Sequence, residues 1–336
     1  MQPFLRNEEY NMLSIDQILN KVESEISKIY FDLPPRSLYE PIEYTLALGG
    51  KRIRPSLTLL AYNIYNNNIT DVLKPAIGLE VFHNFTLLHD DLIDQADKRR
   101  NKPTVHKKWN TNTAILSGDA MVIAAYQLIG DTPKHCLKKI LDLFSQTALE
   151  VCRGQQYDVD FEKIDYVSED QYIEMIQLKT AVLIACCLKT GAIIGGAPEE
   201  DTEKLYRFGT YIGLSFQLQD DLLDVYGDTK TFGKNIGGDI LCDKKTFLLI
   251  NAIALADKEQ KSKLEYYMNP ANTFTPEEKI YSYTEIYNQL NIKDITQIKI
   301  NQLYELSMNE LSSLSVNKDR LSELKKFCSM LMLRES

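Results

Sequence analysis

The spacing of the apolar residues is the strongest constraint on the fold, because these residues recur with a helical period along most of the chain. Ser14 and Gln17 form a capping-box pattern ahead of one such segment. Thr275 to Glu278 repeats that pattern, with proline at the first helical position. Alternation with a period of two residues, which is typical of strands, is hard to find, and no Asn-Gly or Asp-Gly hairpin turn occurs. The sequence therefore predicts an all-α fold.

The prolines indicate where one helix ends and the next begins. They lie mainly between the periodic segments, with examples at Pro55, Pro75, Pro103, Pro133 and Pro198. No stretch of unusual composition marks a linker between domains. We therefore predict that residues 1–336 form a single domain, a bundle of about ten or more helices around one core.

The composition limits the partners and the compartment that we expect. Lys and Arg total 38 against 47 Asp and Glu, and the net charge of −9 argues against a general nucleic-acid binder. No uninterrupted apolar run approaches the ~20 residues of a membrane span. The first residues resemble neither a signal nor a transit peptide, so a cytoplasmic protein is expected. The six cysteines show no CxxC or zinc spacing and are expected to be reduced core residues.

Two acidic stripes, 130 residues apart, are the main candidates for chemistry. In the first, Asp90 and Asp94 are four residues apart and share one helix face with His83, which precedes Asp90 by seven residues. The second stripe lies among apolar residues and has the same helical spacing; it contains Gln217, Asp220, Asp221 and Asp224.

Clustered carboxylates on apolar helices call for a cation. Repulsion and burial raise carboxyl pKa values, and burying an unpaired charge costs several kcal/mol. Mg²⁺ suits such stripes, because it is held by one or two carboxylates together with phosphate oxygens. A single stripe could equally be a solvated acidic face, whereas two in apolar helices favour a metal site. A third acidic pattern, from Asp158 to Glu169, imitates a calcium loop, but Lys163 stands where an EF-hand requires glycine.

Basic residues near each stripe could bind phosphate. Gly49–Pro55 contains Lys51, Arg52 and Arg54, and Lys98–Lys102 follows the first stripe with His106 shortly after it. Lys179 and Thr180 interrupt an apolar run, and three lysines follow the second stripe around Gly237-Gly238-Asp239: Lys234, Lys244 and Lys245. Each cluster alone could be a solvated charge run. Together with the acidic stripes they predict a site for a diphosphate, and for a second one, without a P-loop or a Rossmann fingerprint.

From Gly49 to about Lys245 the chain resembles the trans-isoprenyl diphosphate synthases, the polyprenyl synthetase family. The shared motifs, in chain order, are GGKRIRP, HDDLID with RR five residues on, GQQYD, KT, FQLQDDLLD and GKNIGGD. The resemblance implies an isoprenoid-synthase type of bundle around a central apolar cavity, catalytic motifs within residues 49–245, and a homodimer. Asn101 stands where the family usually has glycine; Asn tolerates left-handed backbone angles, so we expect the turn to be kept.

The resemblance also implies the reaction and the roles of the residues. Isopentenyl diphosphate is condensed with an allylic diphosphate after the allylic carbon–oxygen bond ionises, and diphosphate is released. The expected cofactor is two or three Mg²⁺ ions, replaceable by Mn²⁺, on Asp90, Asp94 and chiefly Asp220 of the second stripe, with Asp221 and Asp224 as further ligands. Isopentenyl diphosphate is expected on Lys51, Arg54, His83 and Arg100. The allylic diphosphate is expected on Arg99, Lys179, Thr180, Gln217, Lys234 and Lys244, of which Lys179, Gln217 and Lys234 are expected to be catalytic.

Product length depends, by the same resemblance, on the residues four and five positions before the first aspartate, here Thr86 and Phe85. On a helix, Phe85 lies ~7.5 Å along the axis from Asp90 but ~140° around it. Helix geometry therefore does not direct its ring to the product tunnel, and only the resemblance implies that orientation. One aromatic residue, and no insertion in the first motif, favour geranylgeranyl diphosphate as the product, with farnesyl diphosphate as the alternative. Ordinary core packing is the other role open to Phe85.

Three other functions are open to a helical chain with these motifs. A class I terpene cyclase shares one acidic motif, but its second motif normally mixes Asn, Ser and Glu. A non-catalytic subunit of a prenyltransferase tends to lose aspartates from these motifs, and none is missing here. A helical scaffold would leave the stripe from Gln217 to Asp224 unexplained.

Overall fold

The computed structural model describes residues 12–227 and 236–332, and these residues are almost entirely helical, which confirms the all-α prediction. The helices of the amino-terminal half are α1 Ile15–Ile26, α2 Arg36–Ala47, α3 Ile53–Asn63, α4 Thr70–Ile93, α5 Val105–Lys108, α6 Thr111–Gly130 and α7 Lys134–Phe161. The later ones are α8 Glu169–Ile176, α9 Val182–Gly195, α10 Glu199–Tyr226, α11 Gly238–Leu241, α12 Phe247–Leu255, α13 Lys258–Met268, α14 Pro276–Gln289, α15 Ile292–Ser312 and α16 Ser322–Met332. A π-helical stretch, Gln177–Ala181, joins α8 to α9, and a 3₁₀ helix, Lys318–Leu321, precedes α16.

The capping patterns predict the helix starts better than the prolines predict the boundaries between helices. Both predicted capping boxes are present, at the starts of α1 and α14. Pro41 and Pro75, however, lie inside α2 and α4, so the expectation that prolines separate helices is wrong there. Each is the sixth residue of its helix, where proline removes only one backbone hydrogen bond near the helix start.

The contacts divide the chain into two compact units. The first comprises Met1–Leu143, Cys187–Leu205 and Ser315–Lys325, and the second comprises Phe144–Cys186, Tyr206–Leu314 and Lys326–Ser336. In the first unit, α4 packs most extensively against α6 and also against α1, α2 and α3. The single-domain organisation expected from the sequence stays a prediction.

The second unit has its own apolar core, into which the apolar face of α10 packs. Leu214, Leu218 and Leu222 are buried there with residues of α8, α12, α14 and α15. Tyr283 and Phe247 are among the largest side chains that this core buries completely. The second acidic stripe therefore lies on a helix whose remaining surface is fixed by packing.

Two helical segments of the described residues are long and apolar enough to cross a membrane by length and composition. They are Thr111–Gly130, whose apolar window is 39% buried, and Glu169–Gly195, whose window is 89% buried. The sequence expectation considered only uninterrupted apolar runs and therefore missed both. The deep burial of the second segment is that of a core helix.

All six cysteines lie within the described residues, and none forms a disulfide. Cys136, Cys186, Cys187 and Cys328 are buried, as expected. Cys152 and Cys242 are exposed, so the prediction of a core position is wrong for these two.

Candidate functional site

A tight turn carries the first basic cluster, immediately before α3. Gly49, Gly50 and Arg52 all have positive φ angles, of 80°, 136° and 46°. The φ of Gly50 favours glycine, and a Cβ atom there would lie 2.6 Å from the guanidinium of Arg100, which would have to shift. The turn leaves Lys51 exposed and directs Arg52 into the interior.

Each guanidinium nitrogen of Arg52 donates a hydrogen bond within the protein. Its Nε donates to Glu23 at 2.8 Å, its Nη1 donates to Glu80 at 3.1 Å, and its Nη2 donates to the carbonyl of Leu46 at 2.8 Å. The side chain is almost completely buried. Of the three cations that the sequence places in this cluster, Arg52 is therefore engaged within the protein, and phosphate binding by Lys51 and Arg54 stays a prediction.

The other residues expected at isopentenyl diphosphate, Arg54, His83 and Arg100, lie in the same unit, and two of them are in contact. The Nη1 of Arg54 lies 3.0 Å from the Nε2 of His83. Arginine can only donate, so this nitrogen of His83 accepts and is not protonated. Burial, followed by the charges of Arg54 and Arg100, holds the pKa of His83 well below its usual value. His83 is therefore a neutral partner of Arg54 rather than a third cation.

The three aspartates of the first acidic stripe differ in burial. Asp91 is buried, and the Nε of Arg99 donates to both of its carboxylate oxygens, at 2.9 and 2.8 Å. Asp90 is partly exposed, with the Nη2 of Arg99 3.7 Å from it, and Asp94 is exposed at the end of α4. Burial raises the pKa of Asp91, and the hydrogen bonds from Arg99 act in the opposite direction. Asp90 and Asp94 are thus more exposed than Asp91, and their role as metal ligands stays a prediction.

Arg99 and Arg100 lie on a small hairpin that the sequence did not predict. Strand β1, Lys98–Arg99, pairs antiparallel with β2, Lys102–Pro103. Arg100 and Asn101 form the connecting turn, with φ angles of 51° and 61°. The expectation that Asn101 can replace the usual glycine is confirmed, because Asn101 adopts the left-handed conformation.

The second acidic stripe also buries its middle aspartate, and in the part of the chain that the structure describes its hydrogen-bond partners are uncharged side chains. Asp221 accepts hydrogen bonds from the hydroxyl of Tyr172 and from Nε2 of Gln217, the latter at 3.0 Å. Burial, with the nearby charge of Asp239, raises the pKa of Asp221 to about 8. Asp224 is buried too, and its Oδ2 accepts from the backbone N–H of Asp239 at 3.0 Å. Asp220 is the partly exposed member of this stripe.

Lys179 and Thr180 lie in the π-helical stretch Gln177–Ala181, and both contact groups of the second unit. The Nζ of Lys179 forms an ion pair with Asp158 at 2.6 Å, and the Oγ1 of Thr180 donates to Oε1 of Gln217 at 3.0 Å. The backbone at Lys179 passes so close to Gly154 that a Cβ atom there would collide with it. Sequence reasoning missed Asp158, although it is the last residue of the GQQYD motif, because it was considered only as part of a calcium-like pattern.

The remaining predicted residues have varied surroundings. Lys234 lies outside the described residues. Lys244 is half-buried, and its backbone N–H donates to the carbonyl of Asp239 at 3.0 Å. Its neighbour Asp243 has a φ of 51° and accepts from the buried Lys279 at 2.7 Å. The turn that carries Lys244 is thus held from the interior.

The two residues expected to set product length lie on α4, before the first stripe. The ring of Phe85 is half-buried between Phe82, at 5.4 Å, and His89, at 4.7 Å between centroids. Thr86 donates from Oγ1 to the carbonyl of His83 at 2.8 Å. Contact with rings one turn away on each side fixes the orientation of Phe85, and its role as tunnel floor stays a prediction.

The donor set fits Mg²⁺ held jointly by protein and substrate. Within residues 12–227 and 236–332, no group of three or more His, Cys, Asp or Glu side chains could hold a metal ion by itself. Mg²⁺ commonly needs only one or two carboxylates when phosphate oxygens and water complete its shell. Asp90 with Asp94 offers such a pair. Burial and the charge of Asp239 raise the pKa of Asp221, and a bound cation would act in the opposite direction.

Comparison with known proteins shows similarity over nearly the whole chain. A model of the polyprenyl synthetase family matches residues 35–289. The chain is 40% identical over 326 residues to the short chain isoprenyl diphosphate synthase of Methanocaldococcus jannaschii, covering 96% of each. It is 39% identical over 246 residues to the geranylgeranyl diphosphate synthase of Methanosarcina mazei, covering 72% of this chain and 76% of the other. A crystal structure of a geranylgeranyl pyrophosphate synthase matches with a TM-score of 0.91 at 42% identity, covering 97% and 100%.

Proposed function

Because the chain belongs to the polyprenyl synthetase family, we propose that it is a short-chain prenyltransferase that condenses isopentenyl diphosphate with allylic diphosphates. One observation in the first unit carries this proposal. Arg54 contacts His83, whose pKa is also lowered by the charge of Arg100, and Arg99, which precedes Arg100 in the chain, pairs with the carboxylates of Asp90 and Asp91. Cations for one substrate thus adjoin carboxylates suited to a metal that holds the other.

Bound Mg²⁺ would supply Lewis-acid stabilisation of the departing diphosphate. We assign its carboxylate ligands chiefly to Asp90, Asp94 and Asp220, which are less buried than their neighbours. Asp221 and Asp224, whose oxygens accept hydrogen bonds from the protein, support the second stripe and are further ligands in this proposal.

The chain's own cations bind and orient the substrates. Lys51, Arg54 and Arg100, with His83, hold isopentenyl diphosphate in this proposal. The allylic diphosphate is bound by Arg99, Lys179, Thr180, Gln217, Lys234 and Lys244. Their charges and hydrogen bonds favour the diphosphate as negative charge develops on it. Apolar surroundings exclude water, which would otherwise quench the allylic cation, and the released diphosphate accepts the final proton.

We propose geranylgeranyl diphosphate as the product, with farnesyl diphosphate as the alternative. Similarity to enzymes named for the twenty-carbon product supports this choice, as does the single aromatic residue Phe85 before the first stripe. The test is to incubate the purified protein with Mg²⁺, isopentenyl diphosphate and, separately, five-, ten- and fifteen-carbon allylic diphosphates. Extension that stops at twenty carbons supports the proposal. Cyclised hydrocarbon, or no consumption of isopentenyl diphosphate, would instead indicate a cyclase or a non-catalytic subunit.

The same assay tests Phe85 as the floor of the product tunnel. Phe85→Ala should shift the products beyond the wild-type length, because removal of the ring deepens the cavity. Tyr166→Ala, which removes an exposed ring elsewhere, is the matched control and should leave the product distribution unchanged. A wild-type distribution from Phe85→Ala would assign that ring to core packing.

We also propose a homodimer and a cytoplasmic location. The exposed face of α6 carries three large apolar side chains, Ile115, Leu116 and Ile123, and a second copy of the chain is the occupant that the family resemblance implies. Sedimentation of the purified protein should give twice the monomer mass of 38.6 kDa.

A further inference from the structure

A buried ion pair lies directly behind the predicted isopentenyl diphosphate site and has no role in the proposed reaction. Arg52 is 3% exposed and Glu80 is 2% exposed. We propose that Arg52, through Glu80, is a positioning residue that fixes the turn presenting Lys51 and Arg54 to isopentenyl diphosphate. This inference rests on the proposed function, because it takes the binding roles of those two neighbours from it.

The first argument is that Arg52 cannot itself bind substrate. All three of its guanidinium nitrogens contact acceptors within the protein: Glu23, Glu80 and the carbonyl of Leu46. Rotation towards a diphosphate would leave Glu80 as a buried carboxylate without its cation. Any effect of Arg52 on substrate binding is therefore indirect.

The second argument is the backbone conformation that these contacts hold. Arg52 has φ 46° and ψ 40°, a left-handed conformation that is unfavourable for residues with a side chain. No side chain caps the first turn of α3 at this position. The hydrogen bonds of the guanidinium therefore fix a strained residue between the exposed Lys51 and the start of the helix that carries Arg54.

The third argument is that two parallel links join this turn to α4. Arg52 contacts Glu80, and Arg54 contacts His83, which is three residues further along the same helix. Asn84 donates to Oε1 of Glu80 at 3.2 Å and holds the carboxylate in place. Because both links join the same turn to the same helix, α4, loss of the Arg52–Glu80 pair should misplace Arg54 relative to His83.

The test compares single and double replacements of the pair. Arg52→Met alone leaves Glu80 as an unpaired buried charge and is expected to lower thermal stability. Arg52→Met combined with Glu80→Leu removes both charges and should recover much of that stability. In both variants we expect the KM for isopentenyl diphosphate to rise about tenfold while the KM for the allylic substrate stays near the wild-type value.

Three further variants complete the experiment. Glu23→Gln changes the exposed partner of Arg52 and is the matched control, expected to keep the wild-type KM values. Arg52→Lys keeps the charge with fewer directed hydrogen bonds and should give an intermediate KM for isopentenyl diphosphate. Arg54→Ala should raise the same KM by direct loss of a ligand.

Two results would overturn the inference, and they are distinguishable. A stable double variant with a wild-type KM for isopentenyl diphosphate, or with both KM values raised equally, would make the pair purely structural. A wild-type KM in Arg54→Ala would instead contradict the proposed substrate site, and this inference with it.

Discussion

The two acidic stripes have the same spacing, Asp-Asp-x-x-Asp, but differ in what balances the middle aspartate. In the first stripe, Asp91 is bound through two oxygens by the guanidinium of Arg99. In the second, Asp221 is bound by the phenol of Tyr172 and the amide of Gln217, which bring no charge. Burial holds the pKa of Tyr172 well above its usual value, so the phenol stays protonated.

This difference shows that spacing alone fixes which face a carboxylate occupies, while neighbours from other segments fix its charge. The first stripe contains its own cation. In the second, the charges of Asp239 and Asp220 both add to the effect of burial in raising the pKa of Asp221. We therefore expect the second stripe to depend more strongly on an added cation.

The largest effect should come from the partly exposed aspartates, which both stripes share. Asp90→Asn and Asp220→Asn should each lower turnover by about a hundredfold or more, because each removes charge that holds the metal ion against the departing diphosphate. Steady-state assays with isopentenyl diphosphate and a fifteen-carbon allylic diphosphate would measure this. Asp165→Asn, at an exposed position between α7 and α8, is the control. Near-normal turnover with intact helical content would refute the metal assignment.

The next largest effect distinguishes the two buried aspartates, Asp91 and Asp221, by what each contributes to the free energy of unfolding. Asp91→Asn should lower the free energy of unfolding by about 1–2 kcal/mol, because it leaves the partly buried Arg99 without its anion. Asp221→Asn should be neutral or stabilising, because a carboxyl with a pKa of about 8 is mostly protonated near neutral pH, so the change breaks no ion pair, and Gln217 can turn its amide over to match. Urea unfolding in EDTA measures both changes. An equal loss of unfolding free energy in the two variants would show that the environments of Asp91 and Asp221 are equivalent.

The smallest effect is a dependence of stability on pH in the metal-free protein. The folded pKa of Asp221, about 8, lies above the ordinary value of about 3.9 in an unfolded chain. Its contribution is therefore fully present below the unfolded pKa and is lost as pH rises towards 8. The melting temperature in EDTA should fall across that range in the wild type and fall less in Asp221→Asn. Identical slopes would assign the pH dependence to other groups.

Sequence reasoning succeeded where local periodicity decides the outcome. The helical class, the capping boxes at Ser14 and Thr275 and the left-handed turn at Asn101 all depend on residues close in sequence. The placement of Asp90 and Asp94 four residues apart, at the end of one helix, follows from local sequence in the same way.

Contacts between distant segments were not predictable from one sequence. Arg52 stands between two cations that look equivalent to it, and only the left-handed backbone and Glu80, 28 residues away, direct it inwards. Asp158 was missed for the same reason, since its partner Lys179 lies 21 residues further along the chain. Tyr172 carried no signal as the partner of Asp221, because an isolated tyrosine in an apolar helix is typical of core packing.

Both stripes are proposed to bind diphosphate through a metal ion, and thermal unfolding with inorganic diphosphate tests this most directly. Diphosphate with Mg²⁺ should raise the melting temperature of the wild type, and diphosphate with EDTA should raise it little. Asp90→Asn and Asp220→Asn should each lose most of the Mg²⁺-dependent shift. An equal shift in EDTA, or a full shift in both variants, would show that diphosphate binds the basic residues without the acidic stripes and would contradict the account.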